Sequence, residues 1–278
     1  MIQRHFRNLL EAQWSQNNFM CVGLDSDLAK IPDCIRTKYK STHKMIDAFN
    51  KAIVDATKDL VCAYKPNSAF YESLGDGGMR VLRETIEYIH LVAPEVVVID
   101  DAKRGDIGKT NEHYAKATFD YLQADAITVN PYPGAEALKP FLDRVEKGVI
   151  VLCRTSNPGA GEFQDLIVDR EPLYCHVARF VSYAWNAHGN CSLVVGATYP
   201  DELRKVRGII SDIPILIPGI GTQGGDLKET VQAGKNSRGQ GMIINASSSI
   251  IFASSGKDFA DAARQETLNL HGLINAYL

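Results

Sequence analysis

No uninterrupted apolar stretch in this 278-residue chain approaches the ~20 residues of a membrane-crossing helix. The amino terminus, Met1-Ile2-Gln3-Arg4-His5-Phe6-Arg7, is soon followed by Glu11, Gln13, Gln16, Asn17 and Asn18, so no secretory signal is expected. Charge of one sign is not in excess: 30 Lys and Arg against 33 Asp and Glu leave a net −3, which argues against a general nucleic-acid or membrane-surface binder. The six cysteines (Cys21, Cys34, Cys62, Cys153, Cys175, Cys191) form no C-x-x-C pair and no zinc-spaced cluster, and the seven histidines include no H-E-x-x-H. Four of the cysteines lie in or beside apolar runs, so reduced, buried thiols in a cytoplasmic protein are expected. Glycine is absent where a dinucleotide-binding turn would need it, since the first strand-like run leads into Asp25-Ser26-Asp27-Leu28. No G-x-S-x-G nucleophile elbow surrounds Ser156. No linker rich in Pro, Ser or Gly divides the chain, so residues 1–278 read as one domain.

What is present is 45% hydrophobic residues, enough to bury a full core. Short apolar runs alternate with longer periodic segments throughout. The runs predict eight strands, at Met20 to Asp25, Val61 to Pro66, Val96 to Asp101, Ala126 to Asn130, Val149 to Arg154, Leu193 to Thr198, Ile215 to Gly219 and Met242 to Ala246. Eight helices are predicted in alternation with them, from Lys44–Lys58 to Asp258–Tyr277. The strands are continuously apolar, as expected when both faces are covered. Strict β/α alternation implies a parallel sheet, and eight of each at this length fit a closed (β/α)8 TIM barrel, with its active site at the C-terminal strand ends.

Those strand ends carry the chemistry. The first offers Asp25 and the second Lys65 and Asn67. The third opens Asp101-Ala102-Lys103-Arg104-Gly105-Asp106-Ile107-Gly108-Lys109-Thr110. Such a density of charge cannot be core, because each unpaired buried charge costs about several kcal/mol. In an extended segment i and i+2 share a face, so Asp101 and Lys103 are expected side by side with Asp106 a short turn away. Two lysines and two aspartates would then form an alternating array suited to a carbanion. The seventh loop, Pro218-Gly219-Ile220-Gly221-Thr222-Gln223-Gly224-Gly225, precedes a helix and suits a phosphate.

The decapeptide Asp101 to Thr110 resembles the signature of orotidine 5′-phosphate decarboxylase. Cys21-Val22-Gly23-Leu24-Asp25, Ala63-Tyr64-Lys65-Pro66-Asn67, Val129-Asn130-Pro131-Tyr132, Arg154-Thr155-Ser156-Asn157-Pro158 and Pro218-Gly219-Ile220-Gly221 resemble that family's longer bacterial-type branch. The resemblance implies a cofactor-free barrel that converts orotidine 5′-phosphate to UMP and CO2, acting as a homodimer with shared sites. It implies that Asp25 and Lys65 bind ribose hydroxyls, that Asp101 faces the substrate carboxylate and that Lys103 protonates C6. Asp106 and Thr110 would reach the neighbouring protomer's ligand. Ser156 would bind the pyrimidine edge, while Gln223 and amides of the last two loops, around Pro218, Gly219, Gly221, Ser247 and Ser248, would hold the phosphate.

Two positions depart from the family's pattern. Ser248 stands where an arginine is expected to clasp the phosphate, which predicts weaker substrate binding. Asp100 stands where an apolar residue is expected, and reads as a solvated or hydrogen-bonded strand-end charge. Two rival readings remain: a Mg2+-dependent sugar-phosphate decarboxylase or aldolase-like barrel with a related Asp-x-Lys-x-x-Asp pattern, and a catalytically impaired nucleotide-binding barrel.

Overall fold

The computed structural model describes residues 4–220 and 226–278. Among them, eight parallel strands close into a barrel: β1 (Met20–Leu24), β2 (Val61–Pro66), β3 (Val97–Arg104), β4 (Ala126–Val129), β5 (Gly148–Arg154), β6 (Cys191–Val195), β7 (Ile215–Pro218) and β8 (Met242–Ala246). Each strand pairs with its neighbours in chain order, and β8 closes on β1 from Met20↔Ile244 to Val22↔Ala246. The β-branched runs that predicted strands are buried on both faces, as Val97, Val98 and Ile99 of β3 illustrate. Amphipathic helices cover the outside. In Thr42–Thr57, for example, Ile46, Phe49, Asn50, Ile53, Val54 and Thr57 recur at helical spacing and are the buried positions.

The end of the barrel opposite the charged loops is closed by a helix that the strand-and-helix alternation did not anticipate, Phe6–Ser15. Phe6 packs on Gly148 at the start of β5, where a Cβ would come within 2.6 Å of its ring. Trp14 donates its indole N–H to the Met242 carbonyl at the start of β8 (2.8 Å). Just before this helix, Arg4 pairs with buried Asp125 (2.6 Å) and donates to the Val96 carbonyl (2.7 Å). Burial alone would raise the Asp125 carboxyl, but Arg4 and His90 hold it at about 2.

At the other end, β3 runs three residues past its predicted limit. Its register against β4 slips between Asp100↔Ile127 and Arg104↔Val129, so extra residues bulge out of the ladder. Lys103 in this bulge has φ +49°, a left-handed conformation that costs a non-glycine residue roughly 1–2 kcal/mol. Hydrogen bonds to Thr128 and Asn130 hold the bulge in place. After β5 the chain makes a small hairpin, Ile167–Val168 with Glu171–Pro172, through left-handed Asp169 and Arg170. Two helices, Gly108–Ala115 and Leu173–Phe180, continue as π-helical turns at Lys116–Tyr121 and Val181–Trp185.

Candidate active site

A cavity of about 530 Å³ opens at the C-terminal strand ends. Its lining includes Asp25, Lys65, Asn67, Asp101, Lys103, Ser156, Pro218, Gly219, Ser247 and Ser248 from the sequence reading. Gly221 and Gln223 lie outside the described residues. Asp106 and Thr110 are exposed and do not line the cavity of their own chain.

The floor is an ion cluster. Asp101, 7% exposed, accepts from Lys65 Nζ through Oδ2 (2.7 Å) and from Lys103 Nζ through Oδ1 (2.6 Å). Thr128 of β4 donates its hydroxyl to the same Oδ1 (2.9 Å) and accepts the Lys103 amide (3.0 Å). Burial would raise the Asp101 carboxyl, but the two ammonium groups and their hydrogen bonds hold it well below the usual carboxylate range. Burial would lower Lys65, but Asp101 and then Asp25 hold it above the usual lysine range. Lys65 is nearly inaccessible, whereas half of the Lys103 side chain faces the cavity mouth. Asp101 and Lys103 thus share a face as expected. They do so through the bulge at Lys103 and not through a regular extended segment.

The expected four-charge array is not assembled within one chain. Asp106 sits in the loop beyond the bulge, where its Oδ1 accepts the Ile107 amide (2.7 Å) and Asn111 holds its backbone. The fourth charge in the cavity is Asp25, whose Oδ1 is buried without a hydrogen-bond partner among the described residues. Asn67 accepts the Ala69 amide and caps the following short helix.

Ser156 and Ser247 reach the cavity because glycines lie beneath them. A Cβ on Gly196 would stand 2.8 Å from Ser156 Cβ, and one on Gly23 would stand 1.9 Å from Ser247 Oγ. The Ser156 loop is closed on itself: Gln164 accepts the Thr155 amide (2.8 Å) and donates to its hydroxyl (2.9 Å). Buried Arg154 pairs with Asp165 (3.0 Å) and stacks on Tyr199 at 4.1 Å. Among the described residues, Lys65 and Lys103 are the only cations lining the cavity, so none accompanies Ser247 and Ser248.

Several lining residues were not singled out in the sequence: Thr128, Thr155, Gln164 and Asn245. The Asn245 Oδ1 is buried and has no partner among the described residues. A polar amide interrupting an apolar strand was the available signal for Asn245. Asp100 is not a solvated charge. It is 2% exposed, on the outer face of β3.

The family model described as "Orotidine 5'-phosphate decarboxylase / HUMPS family" matches residues 19–263. Orotidine 5′-phosphate decarboxylase of Ralstonia pickettii is 50% identical over 273 residues, 98% of this chain and 98% of that protein. The structure of Leishmania donovani UMP synthase superposes with a TM-score of 0.88 at 37% identity, over 99% of this chain and 57% of that longer one. Leishmania donovani OMP decarboxylase does so with a TM-score of 0.82 at 36% identity, over 96% of this chain and 99% of that one. With the cluster at its strand ends and a relative matched over 98% of its length, the chain belongs to the orotidine 5′-phosphate decarboxylase / HUMPS family.

Proposed function

We propose that this chain is a carboxy-lyase that converts orotidine 5′-phosphate to UMP and CO2, the final step of de novo pyrimidine nucleotide synthesis. The observation that carries the reading is the Asp101 carboxylate clamped between the Lys65 and Lys103 ammonium groups on the cavity floor. Loss of CO2 from C6 leaves an sp2 carbanion that the pyrimidine ring delocalises poorly. Enzymes lower barriers by roughly 8–23 kcal/mol, and this reaction calls on the upper part of that range. Lys103 places positive charge where the carbanion develops and then gives C6 its proton, which favours the transition state over the ground state. Asp101 keeps that ammonium in place and sets a negative charge beside the departing carboxylate.

The remaining binding energy comes from remote groups, whose contacts orient the ring. Asp25 and Lys65 take the ribose hydroxyls, with Asn67 beside them, and Ser156 takes the pyrimidine edge. The loop from Pro218 and Gly219 through Gly221 and Gln223 holds the phosphate together with Ser247 and Ser248. Asp106 and Thr110 serve the site of a second copy in a homodimer, which accounts for their exposure together with Ile107, 67% exposed, on a charged loop.

The test is UMP formation from orotidine 5′-phosphate by the purified chain in excess EDTA. Full activity in EDTA and a loss of about 10²–10⁴-fold in Lys103→Ala are expected. No UMP at all would leave a nucleotide-binding barrel. Activity lost in EDTA and restored by Mg2+ would favour the metal-dependent rival.

A further inference from the structure

Asp100 occupies a position where barrels of this kind place an apolar side chain, on the outer face of β3 between the sheet and its helices. Burying a carboxylate there is strongly unfavourable unless its oxygens are hydrogen-bonded, and both are. Oδ1 accepts the hydroxyl of Ser68, and Oδ2 accepts the hydroxyl of Thr118 (2.9 Å). Both hydroxyl residues are themselves only 3% exposed.

The two partners stand on different elements, and each element carries part of the site. Ser68 opens the helix Ser68–Glu72, directly after Lys65-Pro66-Asn67. Thr118 lies in the π-helical run Lys116–Tyr121, which continues the helix that starts at Gly108 and contains Thr110. Such π segments recur at functional sites, because the widened turn re-aims side chains. Asp100 itself precedes Asp101 and sits where the β3 register begins to slip toward Lys103. One carboxylate therefore ties together the segments bearing Lys65, Asp101 and Lys103, and Asp106 and Thr110.

We propose that Asp100 is a positioning residue for decarboxylation: through Ser68 and Thr118 it fixes the spacing of Lys65, Asp101 and Lys103 from behind the strand. The role belongs to the hydrogen-bond frame and not to the charge. Asparagine can keep both links, accepting from one hydroxyl and donating to the other, whereas leucine keeps neither. A frame of this kind matters most to the step in which the cluster meets the carboxylate and C6. It matters less to UMP, which has no carboxylate at C6.

The inference rests on the decarboxylase reading, and the experiment separates the two. Turnover per folded active site and UMP affinity are measured for the wild-type chain, Asp100→Leu, Asp100→Asn, Ser68→Ala and Thr118→Val. Wild type that forms no UMP overturns the functional reading itself. Given wild-type activity, Asp100→Leu is expected to lose at least about tenfold in kcat per folded site while its UMP affinity changes less than about threefold. Asp100→Asn should recover to within about threefold of wild type, and the two hydroxyl variants should each show part of the loss. If Asp100→Leu does not fold, the asparagine and hydroxyl variants carry the test, with both hydroxyl variants expected to lower kcat with UMP affinity held. A kcat per folded site within about twofold of wild type in Asp100→Leu, or in both hydroxyl variants, overturns the proposal, as does an asparagine variant as impaired as leucine.

Discussion

Single residues decide how the ligand's charges are met, and position 248 is the clearest case. Ser248 lines the cavity at the start of a short helix, Ser248–Ile251, with no lysine or arginine beside it among the lining residues described. A guanidinium bound to a phosphate gives charge-assisted, bidentate hydrogen bonds, worth about 1.5–3 kcal/mol more than a site without them. Ser248→Arg is therefore expected to raise kcat/KM for orotidine 5′-phosphate by about tenfold or more, chiefly through KM. Steady-state kinetics on the two proteins checks this, and an unchanged or lower kcat/KM would count against it. At this scale the sequence was informative wherever a charge ended an apolar run, as at Asp25, Lys65 and Asp101. It was silent at Thr128, because threonine is an ordinary strand former and its hydrogen bond to Asp101 depends on the neighbouring strand's register. At Asp100 the sequence left a solvated and a hydrogen-bonded charge open for a related reason, and the structure shows the second. Whether a strand-end carboxylate is solvated depends on the helices laid over it, and Ser68 and Thr118 are distant from it in sequence.

Between elements, close approach of loops sets the shape of the pocket. Gly196 follows β6, and its amide donates to the Arg154 carbonyl at the end of β5 (2.9 Å), while the next amide donates to the Pro218 carbonyl at the end of β7 (2.8 Å). This backbone cannot easily retreat. A methyl group at 196 would lie 2.8 Å from Ser156 Cβ and 3.1 Å from its Cα, so the Ser156 loop must shift. A displacement of about 1 Å at a positioning contact can cost ~10²-fold in rate. Gly196→Ala is expected to lower kcat/KM by about 10–100-fold on that basis, with the folded barrel retained by circular dichroism. Wild-type kinetics in this variant would remove Ser156 from the recognition of substrate. The eight strands were legible as elements because buried parallel strands need apolar β-branched runs. The β3 end was placed three residues early because charges there read as the start of a loop, whereas a bulge keeps them on the strand to Arg104. The hairpin after Ser156 escaped notice because its strands are two residues long and its turn uses Asp169 and Arg170 in place of glycine.

For the molecule as a whole, the feature to explain is that Asp106, part of the most specific sequence motif, is exposed and does not line the cavity of its own chain. Adjacency in the decapeptide suggested adjacency in space, but the bulge sends Lys103 toward Asp101 and carries Gly105 and Asp106 outward past Asn130. The homodimer with a shared site proposed above would resolve this, with each cavity taking Lys103 from one protomer and Asp106 from the other. The arrangement has a consequence that no single-chain site can reproduce. Lys103→Ala and Asp106→Ala are each expected to be inactive or nearly so as homodimers. In a mixed dimer, one cavity carries both lesions and the other carries neither. Random reassortment of equal amounts makes half the dimers mixed, so about a quarter of wild-type activity should return on mixing, under the two-fold symmetry of such an assembly. The measurement is UMP formation after the two variants are mixed, dissociated and reassociated, against each variant treated alone. Recovery near that level requires Asp106 to act across the interface. A mixture no more active than its components, in a chain shown to exchange subunits, would place Asp106 in the service of its own protomer or of none.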